Sequence, residues 1–229
     1  MRRVMAFRVL LTCIVIMLFI HIERCTAEEI TLPKPKTSGG ISVEEAIAGR
    51  RSVRKFTNDA LTLGEVSQIL WASGGATVDG VTGPTRAYPS AGALYPLEIY
   101  LVAGSVKDLE PGVYKYDWRR HTLASIKKGD VRSGLAGASL GQGMIQEAPI
   151  TIVVTVFPEK VKSRYGERGV TRYVSMDAGH LGQNVHLEAE SMGLGTVMVG
   201  AFMDEDVKKV LGVEDETPIY IMPVGRPER

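Results

Sequence analysis

The chain has 229 residues, 45% hydrophobic and 23% charged, with a formal net charge of +1. That length supports one domain with a sizeable core. A near-neutral charge, no basic tail and no zinc-ligand spacing exclude a nucleic-acid partner.

In chain order, Arg2, Arg3 and Arg8 precede an apolar run, Val9 to Ile20, and the small residues Cys25-Thr26-Ala27 follow. This is the order of a secretory signal peptide, or of an N-terminal anchor. The run is short of the roughly 20 residues that span a bilayer. Residues 1–27 are thus expected to direct export to a periplasmic or extracytoplasmic site, with any membrane contact confined to this segment. Their loss removes four Arg, one Glu and both cysteines, Cys13 and Cys25, and moves the net charge from +1 to −2. A chain without cysteine has no thiol nucleophile and no disulfide.

Residues 28–41, with Pro33, Pro35, Gly39 and Gly40, have the composition of a linker. Residues 42–229 form the domain. Ser42 and Glu45 make a capping box that opens a helix to Ala48, and Thr62 and Glu65 open a second, with Val66, Ile69 and Leu70 at helical spacing. Gly74-Gly75 ends it. Residues 76–93, rich in Gly, Pro, Thr and Ser, are expected as a long loop. Leu97 to Ala103 is a strand, and 113–116 pairs with 122–126 as a hairpin. Asp130 is expected to cap a weak helix to Leu140. Ile150 to Phe157 has the β-branched run of a central strand buried on both faces. The polar stretch 161–170 is either a lid or a solvated helix. A long helix runs from Arg172 to Met192, with Met176, Leu181, Val185 and Ala189 on one side. A short strand (196–199), a helix from Asp204 to Leu211 and a last strand (218–224) complete an α+β fold, α/β mixed, whose central mixed sheet is flanked by helices.

Four stretches could carry chemistry. Arg50-Arg51-Ser52-Val53-Arg54 is a cluster suited to bidentate phosphate binding, or a solvated basic turn. Pro89-Ser90-Ala91-Gly92 offers small residues and a hydroxyl between stiffening prolines. Val199-Gly200 offers bare backbone after a strand. Arg226 follows the last strand, at a sheet end where ligands gather. His180 and His186 are spaced wrongly for a metal pair, and Asp177 with His180 has the spacing of a structural contact. No side-chain nucleophile or acid–base pair stands out, so the catalytic chemistry is assigned to a cofactor rather than to a residue.

In this order, with Asp177-Ala178-Gly179-His180-Leu181-Gly182-Gln183-Asn184, Gly193-Leu194-Gly195-Thr196 and Pro223-Val224-Gly225-Arg226-Pro227, the chain resembles the nitroreductase family of flavoproteins, and within it the SagB-type dehydrogenases. The resemblance implies a fold that dimerises through long helices, with FMN at the subunit interface of a homodimer. It implies that Arg50, Arg51, Ser52 and Arg54 meet the flavin phosphate, chain and ring edge. Pro89, Ser90, Ala91 and Gly92 would approach from the partner subunit, Val199 and Gly200 would lie against the ring, and Arg226 would stand near the phosphate. The implied function is an FMN-dependent oxidoreductase moving hydride from a reduced donor, with NAD(P)H a candidate, to a small electrophilic acceptor. The alternatives are a SagB-like dehydrogenase that oxidises a peptide or small product, and a flavin-binding protein without turnover. Azoline-oxidising members carry Lys-Tyr before the long helix, where this chain departs with Arg172-Tyr173.

Overall fold

The computed structural model describes residues 29–80 and 83–228. The expected export segment, residues 1–27, lies outside the described residues. The elements are β1 (Glu29–Thr31), α1 (Val43–Gly49), α2 (Leu63–Gly74), β2 (Ala76–Gly80), β3 (Gly83–Arg86), β4 (Leu97–Ala103), β5 (Gly112–Asp117) and β6 (Thr122–Lys128). They continue with α3 (Arg132–Ala138), α4 (Met144–Glu147), β7 (Ile150–Val156), α5 (Pro158–Arg168), α6 (Val174–Ser191), β8 (Gly195–Thr196), α7 (Asp204–Leu211) and β9 (Thr217–Gly225). A 3-10 turn at Ala91–Ala93 precedes β4, and a π-helical turn at Gly169–Tyr173 joins α5 to α6.

Seven strands form one sheet in the order β1-β6-β5-β4-β7-β9-β8. The pairings between these strands are antiparallel. Parallel bridges at its margins, Ser52 with Thr196 and Leu61 with Val106, give it its mixed character. β7 is central and buried at every residue, as its unbroken β-branched run requires. On one face, Val66, Ile69 and Leu70 of α2 and Val174, Ala178, Leu181, Val185 and Ala189 of α6 join Ile99, Leu101, Ile152, Val154, Met222 and Val224 in one core. On the other, Leu135 of α3, Ile145 of α4, and Val207 and Leu211 of α7 join Tyr100, Val102, Val153 and Ile221. The helices thus flank the sheet on both sides.

Both capping boxes form, with Ser42 and Thr62 each accepting from the N–H of the glutamate three residues on. Three expectations are corrected. The linker 28–41 begins as an edge strand, because Glu29–Thr31 pairs with β6 and Leu32 enters the core. The loop 76–93 contains the β2–β3 hairpin, which delivers Arg86 to the interior, where Nε and Nη1 donate to Gly74 O at 2.6 Å and Leu97 O at 2.9 Å. Asp130 does not cap α3 but accepts from the Arg132 N–H and guanidinium, both at 3.0 Å.

Candidate flavin site

The basic run lies along the β8 edge of the sheet. Ser52 bridges Thr196, and Val53 N–H donates to Thr196 O at 2.9 Å. The approach is close because residue 195 is glycine: a Cβ there would overlap the Val53 side chain. The C-terminal segment docks on the same run. Phe56 bridges Pro227, and Thr57 N–H donates to Arg226 O at 2.9 Å. Val199 exchanges two backbone hydrogen bonds with Ile221, at 2.9 and 3.0 Å. A Cβ on exposed Gly200 would meet nothing within 4 Å. One sheet edge therefore carries Arg50 to Arg54, Val199-Gly200 and Arg226.

The arginines are not equivalent. Arg51 Nη1 donates to Ala48 O at 2.8 Å and to Gly49 O and Arg50 O at 2.9 Å. It thereby satisfies carbonyls left open at the C-terminus of α1. Arg226 donates to Glu65 at 2.6 Å, joining the chain end to the first turn of α2. Burial disfavours the Glu65 carboxylate, but hydrogen bonds from Thr62 and the Arg226 charge outweigh it and hold its pKa below the usual value. Among the described residues, Arg50 and Arg54 have no carboxylate within ion-pair distance. Arg50 stands beside His186, which burial first, and the Arg50 charge second, keep low in pKa and so neutral near pH 7. Thr196 Oγ1, next to the bridge with Ser52, is buried and has no hydrogen-bond partner.

The Pro89–Gly92 loop sits elsewhere, at the other end of α6. Ser90 Oγ donates to Asp177 Oδ2 at 2.5 Å and accepts Tyr95 N–H at 3.0 Å. Asp177 also accepts the Ala91 N–H, and burial raises its pKa against these bonds. His180 Nδ1 donates to Pro89 O at 3.2 Å. The Asp177–His180 pair is structural in the sense that it clamps this loop. Local spacing marks the pair but not its target, Ser90, which lies 87 residues from Asp177 in the chain.

The ends of α6 separate the two halves of the site. Asp177 holds the loop, whereas Glu190 packs against Gly49 and His186 lies near Arg50. These positions are roughly 14–20 Å apart along a helix rising 1.5 Å per residue. Between α1, α2 and the C-terminal half of α6 opens a groove of about 830 Å³, lined by Ile41, Val43, Gln68, Trp71, Leu187 and Met192 among others. Val43 and Ile47 of α1 are 65% and 56% exposed.

The residues fit a flavin phosphate and ring. Two unpaired guanidiniums and an exposed serine stand at one sheet edge, bare backbone adjoins them, and a buried hydroxyl is left unmatched. Arg51, Ser90 and Arg226 already have intrachain partners, so their side chains reach a ligand only in addition to these bonds.

The profile of the Nitroreductase family matches residues 47–226. The chain is 44% identical over 198 residues to the nitroreductase-like protein MJ1384 of Methanocaldococcus jannaschii, covering 86% of this chain and 96% of that protein. It is 28% identical over 137 residues to the microcin B17-processing protein McbC of Escherichia coli, covering 58% of this chain and half of that protein's length (50%). A crystal structure from the nitroreductases of Ralstonia eutropha superposes with a TM-score of 0.76 at 28% identity, over 89% of this chain and 92% of that one. The chain belongs to the nitroreductase family, and its relatives include SagB-type dehydrogenases.

Proposed function

We propose that this protein is an FMN-dependent oxidoreductase acting as a homodimer, with NAD(P)H as donor and a small electrophilic molecule as acceptor. The observation that carries this is that the unpaired guanidiniums Arg50 and Arg54 lie on the same sheet edge as the open backbone of Gly200. When bound, FMN supplies hydride transfer at its N5. Arg50 and Arg54 hold the phosphate and place positive charge at the ring edge, where electron density rises on reduction. Ser52 hydrogen-bonds the chain, and Val199-Gly200 lets the ring lie against backbone. The Ser90 loop, held at the opposite end of α6 from Arg50, serves the partner's flavin in the homodimer that the family resemblance implies. The exposed Val43 and Ile47 and the adjoining groove supply apolar surface for the partner to cover.

The test is an absorbance spectrum of purified protein. Wild type is expected to be yellow, to bleach with NAD(P)H and to recolour with a nitroaromatic. R50A/R54A is expected to be colourless with an unchanged far-UV circular dichroism spectrum. Stoichiometric FMN in that variant would refute the assignment.

A second reading, oxidation of a peptide or small product, is favoured by the similarity to McbC. Flavin bleached by an azoline-containing peptide, and not by NAD(P)H, would select it. Yellow protein that no donor bleaches would leave a flavin-binding protein without turnover. We also propose, on the sequence of residues 1–27, that the protein is exported. An intact N-terminus on cytosolic protein would refute that.

A further inference from the structure

Helix α5 stands against the Ser90 loop. A Cβ on Gly92 would overlap the Tyr165 hydroxyl and come within 3.5 Å of Arg164 Nε. Tyr165 is held edge-on by Tyr173, with ring centroids 5.2 Å apart at 87°. The Arg164 guanidinium lies 5.7 Å from the Tyr165 ring centroid. Directly after Tyr165, Gly166 breaks the helix at φ 61°, ψ −162°, a conformation essentially restricted to glycine. The π-helical turn Gly169–Tyr173 follows, a feature that recurs at functional sites. Together these bends leave Arg164 and Tyr165 on the loop.

The charge in this segment is one-sided. Residues 158–173 carry Lys160, Lys162, Arg164, Arg168 and Arg172 against Glu159 and Glu167. Lys162 is paired with Glu167 at 2.5 Å. Among the described residues, the other four cations have no carboxylate within ion-pair distance. Asp177, the carboxylate nearest the loop, is buried and engaged by Ser90 and Ala91. A chain of net charge +1 thus concentrates unpaired positive charge where it adjoins the proposed flavin loop. Such a field gathers ligands of opposite sign.

We propose that the acceptor carries an oxyanion (carboxylate, sulfonate or phosphate) beside its electrophilic ring, and that Arg164, backed by Tyr165, selects it. This rests on the flavin function proposed above. The guanidinium presents two parallel N–H donors to an oxyanion, and the phenol adds a third donor.

The test uses the full chain as purified and pairs of rings that differ in one group. Calorimetric titration compares 4-nitrobenzoate, 4-nitrobenzenesulfonate and 4-nitrophenyl phosphate with neutral 4-nitrobenzamide. At least one anion is expected to bind about tenfold tighter than the amide at low salt, and the gap is expected to narrow at about 0.5 M salt. The tightest of the three identifies the oxyanion. R164Q is expected to remove most of the preference, R164K to restore part of it, and K209Q, on the distant helix α7, to keep it. Equal binding of the amide and all three anions, or an R164Q variant with the preference intact, would overturn the proposal. Turnover separates it from the proposed function. If both rings are reduced with equal kcat/KM, the selectivity is wrong and the function stands. If anions bind preferentially but no donor drives reduction, the function is wrong and Arg164 remains an anion-binding residue.

Discussion

Arg51 and its neighbours differ only in what surrounds them. Arg51 meets three carbonyls of its own helix end, whereas Arg50 and Arg54 have no carboxylate within ion-pair distance among the described residues. R51A is therefore expected to lower stability by about 1 kcal/mol and to leave flavin content unchanged, as chemical denaturation and absorbance would show. R50A/R54A is expected to do the reverse. Arg226 shows the same dependence on context. Its partner Glu65 has a depressed pKa, so the stability from ionising Glu65 is fully present above its ordinary value of 4.5. That stability is lost as pH falls through the lowered folded value. R226Q is expected to cost about 0.5–1 kcal/mol at pH 7, the range for a partly exposed pair. The gap from wild type is expected to narrow as pH falls below 4.5 in urea titrations. An unchanged gap at acid pH would show that Arg226 acts through something other than Glu65. The sequence marks this cluster as cationic. It does not show which guanidinium is free, because the acceptors that decide this include a glutamate 161 residues away.

The Ser90 loop is an element whose conformation is held from outside. Gly92 sits at φ 57° with Tyr165 over it, so G92A meets both the left-handed penalty of roughly 1–2 kcal/mol and an overlap. D177A removes the acceptor for Ser90 and Ala91. Both variants are expected to lose flavin while far-UV circular dichroism stays unchanged. A fully yellow D177A would show that the loop needs no clamp. The capping boxes were legible because a box is complete within four residues. The first strand and the β2–β3 hairpin were hidden behind linker- and loop-like composition. A three-residue edge strand becomes a strand only by pairing with β6, and the hairpin delivers an arginine to an interior that local composition does not reveal.

For the whole molecule, the long helix α6 is the organising feature. It holds the Ser90 loop near one end and the arginine run near the other. In the proposed homodimer the flavin lies between two copies and draws on both ends. Sedimentation is expected to show a dimer. Co-expression of R50A/R54A chains with D177A chains is expected to yield mixed dimers with one intact site of two, recovering about half the flavin of wild type per mixed dimer; a site built within one chain would recover none. Neither parent homodimer is expected to be yellow.

The sequence by itself determined the class of fold, the family and the positions of the motifs. Those follow from periodicities of 3.6 and 2, from caps closed within a few residues, and from residue types in a fixed order. Tertiary structure alone decided which motifs share a place. It put the Arg50 to Arg54 run beside Gly195 and Thr196 on the sheet edge that also carries Gly200 and Arg226, sent the Ser90 loop to the far end of α6, and set Tyr165 on Gly92. The reason is physical. A guanidinium or hydroxyl is available to a ligand only when no nearer acceptor satisfies it, and the nearest acceptor is set by packing across the sheet edge and along α6 rather than by neighbours in the chain.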